Sequence, residues 1–182
     1  MKKIGTFIKD FFKQYIKWII LVLLGIGVLL FFKKILVMAV FLALNAFIAL
    51  VWMYFQNRVV AIELITLTSI LCLYIFGVKE GMFMVFLSVL IHNFITSTLT
   101  FNSIAAVIMT PLIMLAMSPF QGIGIALFGI IYAVIINCVL LLMVLFLHTG
   151  HLYKRIIFMV THLVWVWFLF SNFSESLLKL FL

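Results

Sequence analysis

Seven long apolar stretches, none of which contains a lysine or an arginine, fill almost all of the chain after residue 17. A bilayer core about 30 Å thick selects such stretches, because in lipid a helix satisfies its own backbone hydrogen bonds. The sequence therefore predicts an all-α integral membrane protein that crosses the bilayer several times. The stretches are 18–32, 35–55, 59–76, 81–99, 104–120, 123–147 and 156–170.

The composition excludes a water-soluble globular protein, because 69% of the residues are hydrophobic and 9% are charged. The chain is also basic, with 12 Lys and Arg against 4 Asp and Glu. These cations lie at the ends of the apolar stretches, where they extend towards the lipid headgroups and set the orientation of the helices. They form no long basic tract. We therefore expect the lipid bilayer, and no nucleic acid, as a partner.

The N-terminal region differs from the rest of the chain. Apolar residues in 2–17 recur at three- and four-residue steps between five lysines, a pattern typical of an amphipathic helix lying on an anionic membrane surface. Stretch 18–32 would rise about 22 Å as a helix, which is short for a span. We predict that it is half-inserted at the cytoplasmic face, so that 1–34 precedes a six-helix transmembrane domain over 35–182.

Charge counting bears on the alternative, in which 18–32 spans the membrane and gives seven helices. With six spans and a cytoplasmic N-terminus, nine cations lie inside and three outside. With seven spans the division is eight to four. Because cytoplasmic loops carry the excess of Lys and Arg, the six-span topology is slightly favoured, with both termini in the cytoplasm of a cell membrane.

Polar residues inside the apolar stretches gather in one layer of the bundle. If the helices alternate in direction, five of them lie within about 11 Å of one membrane face and a sixth lies near mid-depth. Such side chains are costly in lipid and normally face a bundle interior or a cavity. We predict a small-molecule pocket at this face, capped by the loops 99–103 and 148–155. The five are Glu63, His92, Asn93, Thr96 and His162, and the sixth is Asn137.

Two other readings of these polar residues stay open. Asn, Thr and His often bond between helices without any ligand, at about 1 kcal/mol each. Glu63 has Arg58 nearby as a candidate ion-pair partner at the membrane surface. Trp165 is one turn beyond His162 and is a candidate for the pocket wall, although tryptophan is also common at the membrane interface.

The histidines offer weaker signals. His92 and His162 are conceivable axial ligands of a haem, but a lone histidine in a helix is common packing. His148 and His151 lie three residues apart, and the neighbouring loop supplies no third ligand for a metal. We therefore predict no metal site and no cofactor.

No sequence motif for catalysis is present. The chain has no P-loop, no HExxH and no GxSxG. Cys72 and Cys138 are single cysteines in apolar runs, which is typical of small core residues. We predict that the protein is not an enzyme, and that ATP binding for any active transport belongs to another subunit.

Small residues form two local patterns. Ala39, Ala43 and Ala46 follow one another at four- and three-residue steps, making a smooth ridge where a partner helix can approach closely. Gly77 and Gly81 frame a short connection in which two antiparallel helices meet.

Over residues 35–182 the chain resembles the substrate-binding S components of energy-coupling factor (ECF) vitamin transporters. The resemblance rests on the order and spacing of three features. These are the AxxxA ridge at Ala39 and Ala43, the segment 62–64 with Glu63 opening the next helix, and the Phe-Gly-x-x-x-Gly turn at 76–81, followed by a helix with polar residues at His92 and Asn93.

The resemblance implies a six-helix bundle with both termini cytoplasmic and a vitamin-like ligand in a pocket on the outer face. It also implies that the alanine ridge packs against a transmembrane coupling subunit driven by two ATPase subunits. The main alternative is a non-catalytic structural or accessory subunit of a larger membrane complex. A membrane enzyme or haem carrier is a third, weaker hypothesis.

Overall fold

The computed structural model of this protein describes residues 2–55, 63–98, 100–147 and 152–181. These residues form helices throughout, as the apolar stretches predict. The helices are α1 (Lys2–Phe55), α2 (Ile65–Phe76), α3 (Val78–Ile95), α4 (Phe101–Met117), a short 3₁₀ segment (Ser118–Ile123), α5 (Ile125–Leu147) and α6 (Leu152–Phe181).

Five helical stretches in the described part of the chain are long and apolar enough to cross a membrane. The remaining predicted span, 59–76, corresponds to α2. This helix has 12 residues and is too short to count among the helices that could cross a membrane. Its predicted first part falls in 56–62, outside the described residues, so the count of six is not confirmed. The five stretches are Ile20–Tyr54, Val78–Ile95, Phe101–Ile123, Ile125–Phe146 and Leu152–Phe181.

Helix α1 continues through Lys33 and Lys34, where the sequence suggests an end to the N-terminal segment. Lysine is a good helix former, and neither Gly nor Pro lies next to this pair to stop the helix. The chain divides into two compact units, Met1–Ala39 and Val40–Leu182. The side chains of 2–15 lie outside the described ones, so the amphipathic N-terminus and the boundary at residue 34 stay predictions.

In the unit Val40–Leu182, α2 to α6 form a closed ring. Each helix packs against the next along the chain, and α6 packs against α2. The outer surface carries large exposed apolar side chains, such as Phe94 and Phe146, which are 62% and 78% exposed. Polar side chains such as Asn137 and His162 are instead buried. This inside-out distribution suits a multi-pass membrane protein, whose outer surface faces lipid.

The connection between α2 and α3 is the single non-helical residue Gly77, shorter than the predicted connection over 77–81, because residues 78–81 belong to α3. Gly77 has φ of 109°, a conformation that side chains with a Cβ rarely adopt. Four residues later, Gly81 lies against α2, where an added Cβ would come 2.7 Å from Cβ of Leu73. The tight turn therefore brings the two helices into close antiparallel contact.

Candidate functional site

An internal cavity of about 230 Å³ lies between the five helices of the ring, and we call it the inner cavity. Its walls are apolar along much of their length, with Val85, Ile136 and Leu140 among the lining residues. Five of the residues predicted for the site also line it, so the structure brings them together from four helices or their ends. These five are Glu63, His92, Asn93, Asn137 and His162.

Glu63, His162 and Asn137 form a continuous chain of contacts. Asn137 Nδ2 donates a hydrogen bond to the Ala133 carbonyl oxygen at 2.8 Å and lies 2.6 Å from Nδ1 of His162. Because an amide nitrogen only donates, Nδ1 is the acceptor, and the proton of a neutral His162 sits on Nε2. That Nε2 lies 2.8 Å from Oε1 of Glu63. The acid and the imidazole are therefore in close polar contact, although Nε2 does not have the geometry of a hydrogen bond.

Trp165 does not line the inner cavity. Its Nε1 donates a hydrogen bond to the backbone carbonyl oxygen of Glu63 at 2.8 Å, joining α6 to the segment that precedes α2. Trp165 therefore does not contact the cavity itself and instead fixes the position of the Glu63 backbone. Arg58, the other candidate partner of Glu63, lies outside the described residues.

A larger cleft of about 680 Å³ adjoins the inner cavity, and we call it the vestibule. Both spaces are lined by the same four residues, which therefore form the neck between them. The vestibule lies where α1 and α3 end and α6 begins, and it also contains Thr96. The neck residues are His92, Asn93, Arg155 and Phe158.

The vestibule side of the neck is held together by the turn between α3 and α4. Thr96 Oγ1 donates to the His92 carbonyl oxygen at 2.8 Å, so this predicted site residue serves the turn as well as the cleft. The amide of Asn93 donates to the Ser103 carbonyl oxygen at 3.4 Å and accepts from Thr98 Oγ1 at 3.4 Å. Of the loops predicted as caps, residues 99 and 148–151 lie outside the described ones.

Arg155 is a site residue that the sequence analysis missed, because it was counted as an external loop cation. Its Nε and Nη2 atoms are buried and have no hydrogen-bond partner among the described residues. The guanidinium carbon lies 5.0 Å from the centroid of the Phe158 ring. The signal was present in the spacing, since Arg155, Phe158 and His162 follow one another at three- and four-residue steps on one face of α6.

Asn45 is a second residue that the sequence analysis missed. It is buried, and its Nδ2 donates to Thr68 Oγ1 on α2 and to Ser88 Oγ on α3, each at 3.0 Å. This three-way contact ties the second half of α1 to the ring, away from the inner cavity. The available signal was a polar side chain within an apolar stretch, and the same kind of signal singled out Glu63.

The predicted interface residues lie on α1. Ala39 and Ala43 are exposed and Ala46 is half-buried. In the unit Val40–Leu182, the same helix turns Phe41, Asn45 and Ala49 inward. Ala43 is therefore open to lipid or to a partner, and the partner itself stays a prediction.

Comparison with known proteins gives no relative, since no family model, no curated protein and no solved structure matches the chain. Within the described residues there is no group of three or more His, Cys, Asp or Glu that could hold a metal ion. His148 and His151 lie outside those residues. Any function must therefore be argued from the site.

Proposed function

We propose that the protein is the substrate-binding membrane subunit of an ECF-like importer, which captures a small, vitamin-like molecule in an outward-facing pocket. The observation that carries the proposal is the inner cavity, enclosed by five helices, with its ionisable residues near a neck that leads to the vestibule. Pockets of this kind, mostly apolar with a few convergent polar groups, are typical of small-molecule sites.

The size of the cavity favours a small ligand. Its volume of about 230 Å³ is just below the roughly 300–1,000 Å³ of sites for drug-sized molecules. The charged Arg155 lies at the neck, whereas the walls carry apolar side chains together with the polar Thr110, Tyr132 and Asn137. Such a site suits an amphipathic molecule with a polar end at the neck and an apolar body within the bundle.

The transport role rests on the resemblance over 35–182. The exposed Ala43 is available for the coupling subunit that this resemblance implies, and ATPase subunits would supply the energy. The polar layer would then face the outside of a cell membrane, with both termini in the cytoplasm.

Native mass spectrometry of gently purified protein tests the proposal. We expect a fraction of the protein to carry a small molecule through purification, and its mass to disappear after denaturation and refolding. Protein that carries no small molecule, and takes none up from a cell extract, would contradict a substrate-binding role.

A non-catalytic accessory subunit is the second candidate, favoured by one observation. Glu63, His162 and Asn137 contact one another in series, and Trp165 bonds the backbone of Glu63, so part of the polar layer already acts as contact between helices. In that case the cavity would stay empty, and substitutions there would change stability alone.

A further inference from the structure

Arg155 lies at the neck, and two of its guanidinium nitrogens, Nε and Nη2, are buried. Neither nitrogen has a hydrogen-bond partner among the described residues, and the guanidinium carbon lies 5.0 Å from the centroid of the Phe158 ring. A cation over an aromatic ring gains about 1–2 kcal/mol. Removing a charge from water costs far more than this unless the charge is paired. The two nitrogens are therefore available to bind an anion.

Glu63 is the carboxylate that acts electrostatically on Arg155, but it lies against His162 and accepts no hydrogen bond from Nε or Nη2 of Arg155. Three of the four acids in the sequence lie in the unit Val40–Leu182, and of these Glu63 faces His162 at 2.8 Å. Glu80 lies twelve residues before the neck residue His92 on α3, and Glu175 lies twenty residues after Arg155 on α6, which correspond to about 18 Å and 30 Å of helix. Segments 56–62, 99 and 148–151 contain no Asp or Glu.

The geometry of the unpaired atoms specifies the anion further. Nε and Nη2 lie on one edge of the guanidinium and form a fork that matches the two oxygens of a carboxylate or of a phosphate. Neither nitrogen of this edge has a hydrogen-bond partner among the described residues. The Glu63 carboxylate repels anions deeper in the cavity, so a ligand with a single negative charge at the neck is favoured.

We propose that Arg155 binds the carboxylate of a small, otherwise apolar monocarboxylic acid, whose body fills the inner cavity. This inference rests on the proposed substrate-binding function and names the class of substrate. Apolar side chains line the cavity beyond the neck and suit a hydrocarbon body, while His92 and Asn93 flank the neck. These apolar residues are Ile65, Val85, Val89, Ile136, Leu140 and Val144.

Four six-carbon probes test the class of ligand by titration calorimetry on the full chain in detergent: hexanoate, hexan-1-ol, hexylamine and hexyl phosphate. We expect hexanoate to bind about tenfold or more tightly than hexan-1-ol, and hexylamine to bind most weakly. Equal affinity for hexanoate and hexan-1-ol would overturn the inference. Tighter binding of hexyl phosphate than of hexanoate would also overturn it and indicate a phosphate ligand, such as a lipid headgroup.

Variants of Arg155 and a matched control test whether this residue binds the carboxylate. Arg155→Gln removes the charge, and Arg155→Lys keeps the charge but loses the fork. Lys154→Gln removes an exposed cation one residue away, beside Tyr153. We expect hexanoate affinity to fall about ten- to a hundredfold in Arg155→Gln, by less in Arg155→Lys, and to stay within about twofold in Lys154→Gln.

Hexan-1-ol affinity should change little in all three variants. Equal losses of hexanoate affinity in Arg155→Gln and Lys154→Gln would overturn the assignment. If Arg155→Gln does not fold, Arg155→Lys and the four probes on the unmodified protein still decide the question.

Native mass spectrometry separates failure of this inference from failure of the proposed function. A retained molecule without a carboxylate would contradict the inference and leave the substrate-binding role intact. Protein that carries no molecule and binds none of the four probes would contradict both.

Discussion

Oε1 of Glu63 lies 2.8 Å from Nε2 of His162, although the two residues belong to distant parts of the chain. The contact joins the segment before α2 to α6, and Asn137 on α5 holds the other ring nitrogen at 2.6 Å. An acid inside an apolar bundle needs such a partner to remain there. The contact therefore fixes the position of one wall of the inner cavity.

The first prediction concerns the inner cavity. Glu63→Gln and His92→Ala should each reduce the amount of ligand retained through purification, by more than they lower the thermal stability of the empty protein. Native mass spectrometry and thermal unfolding measure the two effects. Cys138→Ala is the control, because Cys138 is exposed on α5 next to Asn137 and does not line the cavity. Equal losses of ligand and of stability would instead assign these residues to helix packing.

The second prediction concerns the contact between α1 and the ring. Asn45→Ala removes two buried hydrogen bonds and should lower the free energy of unfolding by about 1–2 kcal/mol. Ser69→Ala is the matched control, because Ser69 Oγ is buried without a hydrogen-bond partner among the described residues. It should change stability by less than about 0.5 kcal/mol. Reversible unfolding in mixed micelles provides the measurement, and equal effects would contradict a stabilising role of Asn45.

The third prediction concerns the close approach of α2 and α3. Gly81→Ala places a Cβ 2.7 Å from Cβ of Leu73, so the helices must separate, at a cost of about 1–3 kcal/mol. Gly122→Ala serves as the control, since an added Cβ there meets nothing within 4 Å. Thermal unfolding should show a lower midpoint for the first variant alone. An unchanged midpoint for Gly81→Ala would contradict the close contact between α2 and α3 at this position.

The fourth prediction concerns the alanine ridge. Ala43→Leu adds bulk to an exposed position, so the isolated subunit should stay folded and keep its ligand, with a stability change below about 0.5 kcal/mol. Any complex with a coupling subunit should weaken, because a close helix contact does not accommodate the larger side chain. Native gels of membrane extracts measure the complex. An unfolded Ala43→Leu subunit would show that the ridge belongs to internal packing.

The fifth prediction concerns topology. Cysteines introduced beside Lys3 and Lys179 should both react with a membrane-impermeant thiol reagent from the cytoplasmic side, because the lysine-rich N-terminus prefers the anionic leaflet. Replacing Cys72 and Cys138 by Ala removes the native thiols. Labelling of the two sites from opposite sides would contradict six spans and favour seven.

The amino-acid sequence was sufficient to predict the all-helical membrane class, because length and hydropathy are local properties that the bilayer selects directly. It also predicted the tight turn at Gly77, since a positive φ is a requirement of single residues. The layer of polar residues followed from the fixed rise of a helix, which places residues at known depths. Five of the seven predicted ligand residues consequently line the inner cavity.

Contacts between helices were decided by the tertiary structure, because they depend on the rotation and register of one helix against another, which periodicity along a single helix does not specify. Glu63 faces His162, and Arg155 turns to the neck although its position suggested an external loop. Trp165 reaches the backbone of Glu63, and Asn45 bonds two helices at once. The sequence by itself determined which residues are costly to bury, and tertiary packing decided which of their polar atoms have partners and which, like two nitrogens of Arg155, have none among the described residues.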